Sequence, residues 1–151
     1  GLLAALMRTP RLVRAERDCR DRARELLRFV GLGGSADSAA DSMPYGALKR
    51  LEIARALAGE PKILLLDEPA AGLNPTESME IAGLIRKLCE AGTTVVLVEH
   101  NMRLVMDVAD HILVLDYGRK LSEGSAEQVR NDPRVIEAYL GAAEPPEQAH
   151  A

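Results

Sequence analysis

The run Ile63-Leu64-Leu65-Leu66-Asp67-Glu68-Pro69 constrains this chain more than any other stretch: four aliphatic residues lead straight into two carboxylates. A short continuous apolar run bounded by turn formers reads as a strand buried on both faces, as in a parallel sheet. Pro69 and Gly72 end it, because proline has no N–H to give a sheet ladder. Asp67 and Glu68 then stand at the carboxyl edge of the strand, where open α/β sheets bind ligands. Adjacent acids at that edge suit a divalent metal and a base that polarises water. The plainer alternative is a strand followed by a solvated acidic loop.

The flanking sequence supplies the rest of an α/β pattern. Gly1 to Met7 is small and apolar, and Thr9-Pro10 breaks the pattern. Residues 15–30 read as a helix with Cys19, Ala23, Leu26, Leu27 and Val30 on one face. Its other face carries Arg17, Arg20, Asp21, Arg24, Glu25 and Arg28, a mixed-charge set that reads as solvated. Gly31, Gly33 and Gly34 stop it, and 35–42 is a polar loop. A second helix is expected over 48–58, with Leu48, Leu51, Ala54 and Leu57 on a narrow apolar face.

After the acidic strand, Asn74-Pro75-Thr76-Glu77 is a dense helix-start signal: a cap, a proline for the first helical position and the acid of a capping box. That helix is expected to reach about Glu90, with Met79, Ala82, Ile85 and Leu88 inward. Residues 93–98 read as a second buried strand ending at Glu99-His100, followed by a short helix with Met102, Val105, Met106 and Ala109 on one face. A third strand over 112–115, a turn at Asp116-Tyr117-Gly118-Arg119 and a returning edge strand over 120–123 come next. Ser125 to Gln128 is a second capping box, and Pro133 opens a last helix with Val135, Ile136, Tyr139 and Leu140. The tail over 142–151 is expected to be disordered. The order predicts a helical segment followed by part of an α/β layer with a largely parallel sheet.

Composition narrows the function classes. At 151 residues the chain is long enough for one domain with a real core. It has no Trp, one Phe and three Tyr, and a net charge of -4, which argues against a nucleic-acid surface built on stacking aromatics or a basic field. Cys19 and Cys89 lie far apart within helical patterns and outside any metal spacing, so buried free thiols in a reducing compartment are expected. No apolar run approaches a membrane span and no signal peptide is evident, which predicts a soluble, cytosolic chain.

Three features converge on chemistry. Asp67-Glu68 ends one strand and Glu99-His100 ends the next, and a crossover helix between parallel strands brings both ends to one edge of the sheet. His100 is therefore a candidate to face the same ligand as Glu68, the alternative being an ordinary loop residue. Tyr45-Gly46 precedes a helix, whose amino end exposes unpaired N–H groups and partial positive charge that suit phosphate. A glycine there lets a ligand approach the backbone, although glycine at a helix start is common.

The run from Pro44 through Tyr45-Gly46-Ala47-Leu48-Lys49-Arg50 to Leu57 resembles the signature motif and helix of ABC transporter ATPases. Leu64-Leu65-Leu66-Asp67-Glu68-Pro69 is similar to their Walker B strand, Ala71-Gly72-Leu73-Asn74-Pro75 to the D-loop, and Val98-Glu99-His100 to the switch-histidine strand. The Pro-Tyr-Gly form of the signature, the run from Asp67 to Pro75, Glu99-His100-Asn101-Met102, and Asn131-Asp132-Pro133 with Ala138-Tyr139-Leu140-Gly141 resemble the ATP-binding subunit of branched-chain amino acid importers. The likeness covers Gly1 to Gly141.

The resemblance implies a P-loop-NTPase-like α/β fold, here with a helical signature subdomain over 1–60 that lacks the amino-terminal sheet portion, an α/β part over 61–141 and a tail over 142–151. It implies ATP and Mg²⁺ as cofactors. Asp67 would hold Mg²⁺ through water, Glu68 would polarise the attacking water, and His100 would contact the γ-phosphate. Tyr45, Gly46 and Ala47 would contact ATP bound to a partner subunit in a head-to-tail dimer, with Asn74 near the dimer seam. Implied partners are a second ATPase subunit, membrane permeases faced by the helical segment and, indirectly, a periplasmic binding protein. The implied place is cytoplasmic, peripheral on the inner face of the membrane.

Two positions depart from the pattern: Ala47 stands where the signature usually has Gln, and Asn74 where the D-loop more widely has Asp. No G-x-x-x-x-G-K-S/T phosphate loop occurs in these residues. The chain thus reads as the carboxyl-terminal part of such an ATPase, not expected to hydrolyse ATP alone and expected to leave apolar sheet surface uncovered. The competing readings are a non-catalytic remnant acting as an interaction module and an ABC ATPase outside transport.

Overall fold

A computed structural model describes residues 9–140 of the chain; the apolar stretch over 1–7, the tail over 142–151 and Gly141 lie outside the described residues. Two compact units divide the chain, one up to Val96 and one from Leu97.

In the first unit, helix α1 spans Pro10–Phe29. It begins five residues before the periodicity suggests, because Pro10 occupies the first turn, where its missing N–H is not needed. Thr9-Pro10 therefore starts the helix instead of interrupting the pattern. None of its residues is buried and Cys19 is exposed, contrary to the expected buried thiol. Gly31 closes α1 with φ +78°, its N–H donating to the Arg28 carbonyl while the Leu32 N–H donates to that of Leu27. The expected loop holds two single 3₁₀ turns, Gly33–Ser35 and Ala40–Ser42.

Helix α2 covers Tyr45–Leu57, one turn earlier than expected, so Tyr45 and Gly46 are its first two residues and not its approach. Strand β1 covers Ile63–Asp67, helix α3 Pro75–Glu90 and strand β2 Thr94–Val98. The strands are hydrogen-bonded neighbours, and the Thr94 N–H donates to the Lys62 carbonyl at the head of both. Paired at their starts and joined through α3, they run parallel.

Burial in β1 alternates, with Leu64 and Leu66 buried while Ile63 and Leu65 are 57% and 73% exposed. The expectation of a strand covered on both faces fails here, and β2 likewise leaves Val96 and Val98 exposed. An unbroken aliphatic run records the strand but not what lies over its second face. In α3 the buried stripe is Ile81, Leu84, Ile85 and Leu88, with Ala82 beside it. Met79, expected inward, is 73% exposed, and Cys89 is exposed on the last turn. The Arg50 guanidinium donates to Glu80 at 2.6 Å, tying α2 to α3.

The second unit contains helix α4 (Met102–Val108), strands β3 (Ile112–Asp116) and β4 (Arg119–Gly124), helix α5 (Ala126–Arg130), the short helix α6 (Pro133–Val135) and a π turn over Ile136–Leu140. β3 and β4 form their own antiparallel pair, from Asp116 opposite Arg119 to Ile112 opposite Gly124, with a bulge after Val114. Tyr117 and Gly118 both take positive φ, 44° and 75°, as a two-residue primed turn requires. The described residues thus form an α/β arrangement with two two-stranded sheets, β1–β2 and β3–β4. Ile112, Val114, Val129 and Val135 form the core, with Met102, Val105, Met106 and Ala109 packed against it as their spacing predicts. The Tyr139 hydroxyl donates to the Leu115 carbonyl at 2.7 Å, whereas Tyr117 is fully exposed.

Asp132 fastens the end of this unit. Its carboxylate accepts the Arg134 backbone N–H at 3.0 Å, the Arg134 guanidinium at 2.8 and 3.1 Å, and the Ser122 hydroxyl. The Arg134 and Ser122 bonds hold its carboxyl well below the usual range. A depressed folded-state value means that the stabilisation is complete above the unfolded pKa, about 3.9, and is lost as pH falls below it. Asp132→Asn is therefore expected to destabilise residues 112–135 at neutral pH and to flatten the acid limb of their stability below pH ~4, as read by hydrogen exchange. An acid limb unchanged by the substitution would contradict this.

Candidate functional site

In the first unit, β1 ends on Asp67, exposed, and Glu68 follows in a left-handed conformation with φ 45°. That conformation is uncommon for a residue with a side chain and marks a position held by its surroundings. The Glu68 carbonyl accepts the Ala71 N–H at 3.1 Å and the Ala70 carbonyl accepts that of Leu73 at 3.2 Å, so the chain doubles back through buried Pro69 and Ala70. It emerges at Asn74, the cap of α3. The cap is reciprocal: the Asn74 amide oxygen accepts the Glu77 N–H at 3.0 Å, and Glu77 Oε2 accepts the Asn74 N–H at 3.1 Å.

The start of α2 meets this turn. A Cβ on Gly72, whose φ is +74°, would lie 3.2 Å from Tyr45 Cε1, so the tyrosine ring rests on the glycine. A Cβ on Gly46 would lie 2.7 Å from Glu77 Oε1 and 3.0 Å from its Cδ, so only a glycine leaves that carboxylate its place. Lys49 Nζ stands 5.6 Å from the centre of the Tyr45 ring. The N–H groups of Tyr45 and Gly46 have no hydrogen-bond partner among the described residues, while those of Ala47 and Leu48 both reach the Pro44 carbonyl. Ala47 itself is buried.

The second unit holds His100, whose side chain is 69% exposed, next to Glu99, whose carboxylate is 1% exposed. Glu99 Oε2 accepts the backbone N–H groups of His100 and Asn101 at 3.2 and 3.3 Å. The Asn101 side chain accepts the Leu104 N–H and caps α4. Buried Glu99 thereby orders the backbone that presents an exposed imidazole.

Tyr45, Gly46, Asn74 and the acidic turn are thus brought into one neighbourhood of the first unit, and His100 belongs to the second. Three residues make contacts here that the sequence does not announce. Glu77 was legible as a cap but not as the neighbour of Gly46, a contact between distant segments without any local signal. Gly72 and Glu99 were parts of recognised motifs, but nothing in the chain order announces the ring on the one or the burial of the other. Among the described residues no three His, Cys, Asp or Glu side chains converge as a metal site, and no helix is long and apolar enough to cross a membrane.

Residues 4–71 match the ABC transporter family model, and residues 119–145 match the model of the branched-chain amino acid ATP-binding cassette transporter. Both matched models describe ABC transporters, and the chain is similar to the high-affinity branched-chain amino acid transport ATP-binding proteins BraF of Pseudomonas aeruginosa, 48% identical, and LivG of Escherichia coli, 47% identical, each over 95% of this chain and 56% of the relative. The chain therefore spans about half the length of the curated relatives it matches. The crystal structure of the ADP conformation of MJ1267, an ATP-binding cassette of an ABC transporter, has a TM-score of 0.73 at 34% identity, covering 80% of this chain and 49% of that one.

The left-handed turn at Glu68 has a direct stability test. Glu68→Gly and Glu68→Val both remove the carboxylate, so they differ in what the left-handed backbone allows. Glu68→Val, β-branched in that conformation, is expected to cost about 1–2 kcal/mol more in urea stability than Glu68→Gly. Equal effects of the two would mean that Glu68 is not held at positive φ.

Proposed function

We propose that the chain is the carboxyl-terminal part of the ATP-hydrolysing subunit of an importer for branched-chain or similar amino acids. The observation that carries this is the contact between the first turn of α2 and the turn that follows β1, with two carboxylates at the end of that strand. Identity of 46–48% to proteins named for branched-chain amino acid transport supports the substrate class.

In this reading ATP held by a partner subunit approaches the open N–H groups of Tyr45 and Gly46 at the positive end of α2. Asn74 stands near the seam between the two subunits. Asp67 is exposed at a strand end and is the only described acid this reading gives to Mg²⁺. That fits an ion which keeps waters and takes its other ligands from nucleotide phosphates. Glu68 orients and polarises the attacking water, and His100 contacts the γ-phosphate. Such a set supplies positioning and charge, which is what phosphoryl transfer asks of a protein. Permease subunits, a second ATPase subunit and, through them, a periplasmic binding protein are the partners of this function, placing it on the cytoplasmic face of the membrane. The motifs divide the chain functionally into a helical part up to residue 60 and an α/β part over 61–141.

The test joins this chain to the amino-terminal half of BraF and measures Mg²⁺-dependent ATP hydrolysis. Glu68→Gln is expected to lower kcat roughly a hundredfold or more. An inactive wild-type fusion, or a Glu68→Gln variant as active as wild type, would refute the assignment. The 151 residues by themselves contain no phosphate loop and are expected to bind ATP weakly. Calorimetry with a non-hydrolysable analogue and Mg²⁺ checks this, and tight Mg²⁺-dependent binding would overturn it.

A further inference from the structure

We infer that Glu77 is a positioning residue that locks the first turn of α2 to the turn after β1, so that the two nucleotide-facing elements of this chain move as one body. Its catalytic meaning rests on the function proposed above; the coupling itself does not.

The two carboxylate oxygens of Glu77 face different elements. Oε2 accepts the Asn74 N–H and completes the reciprocal cap of α3. Oε1 lies against Gly46, where an added Cβ would come within 2.7 Å of it. The carboxylate therefore sits beside the amino end of a 13-residue helix whose first two N–H groups lack partners, and an anion there is stabilised by the partial positive charge of the helix end. A cap needs only one of these oxygens, so capping leaves the second contact unexplained.

A second contact acts in parallel. The Tyr45 ring lies on Gly72, and Lys49 stands over the same ring. Carboxylate against glycine on one side and ring against glycine on the other give a two-point junction, which resists rotation where a single contact would act as a pivot. A side chain at either glycine would displace its partner, the Glu77 carboxylate at Gly46 and the Tyr45 ring at Gly72. The turn carrying Asn74 and the helix start carrying Tyr45 and Gly46 thus share one fixed geometry. A partner subunit that displaces either element acts on the other through Glu77.

The test compares Glu77→Ala, Glu77→Gln and Asn74→Ala in the full chain by amide hydrogen exchange over residues 45–48, 71–74 and 75–78. Asn74→Ala removes the side-chain half of the cap but keeps the backbone N–H that holds Glu77, so it separates capping from coupling. Glu77→Ala is expected to speed exchange about fivefold or more over both 45–48 and 71–74. Glu77→Gln, which keeps an acceptor of the same reach, should restore most of the protection. Asn74→Ala should speed 75–78 and leave 45–48 within about twofold of wild type.

No change over 45–48 in Glu77→Ala, or an equal change there in Asn74→Ala, would overturn the inference. In the BraF fusion, Glu77→Ala should lower kcat while KM for ATP stays within about twofold, the signature of geometry lost at the reacting stage. Equal loss through KM alone would overturn the positioning role. A wild-type fusion without activity counts against the proposed function only, and the exchange pattern then decides the coupling by itself.

Discussion

The pair of hydrogen bonds exchanged by Asn74 and Glu77 is the joint on which the candidate site depends. They satisfy one backbone donor at the head of α3 and one at the end of the preceding turn, groups that a helix start otherwise leaves open. The bond from the Asn74 N–H also fixes where the Glu77 carboxylate lies, beside the start of α2. The turn from Glu68 to Leu73 is also tied by the Ala71 N–H to the Glu68 carbonyl and the Leu73 N–H to that of Ala70, with Pro69 and Ala70 buried. A local capping rule, readable in four consecutive residues, thereby sets the spacing of segments far apart in the chain.

The two units present their candidate site side chains differently. In the first, the backbone carries the constraint: Glu68 sits at positive φ and its carbonyl starts the next turn. In the second, a buried acid carries it, Glu99 gathering the N–H groups of His100 and Asn101 while the imidazole stays open to water. Both devices place a titratable group at the end of a strand and engage backbone N–H groups of the neighbouring turn. Local rigidity of this kind suits residues that must meet a ligand supplied from elsewhere.

Much of this was legible in the chain, for reasons that differ by element. Asn74-Pro75 and Ser125 with Gln128 announced their helices because capping is local chemistry, and both reciprocal caps are present. Asp116 to Arg119 announced a hairpin because only certain residues accept two positive φ angles in sequence. The acidic strand was found where its aliphatic run stands, but its burial was overstated, since a run of leucines cannot say whether anything covers its second face. A spacing of three puts Met79 inward; the buried stripe at 81, 84, 85 and 88 follows the helix period more closely and leaves Met79 outside. The thiols of Cys19 and Cys89 were misplaced for a similar reason, because residue type favours burial and helix phase decides it. The family resemblance rested on short motifs, and the residues that join those motifs, Gly72 and Glu77, became visible only in three dimensions.

The scarcity of aromatic residues has an experimental use. With no tryptophan and three tyrosines, the ultraviolet signature of the chain comes from three rings in three settings. Tyr117 lies fully in water at the tip of the β3–β4 turn and serves as an internal reference. Tyr139 spends its hydroxyl on the Leu115 carbonyl, so its absorbance follows the integrity of the second unit. Tyr45 rests on Gly72 with a lysine above it, and its spectrum follows the junction between α2 and the turn after β1. Single Tyr→Phe changes separate the three, giving this chain a built-in optical readout of each unit without an added label.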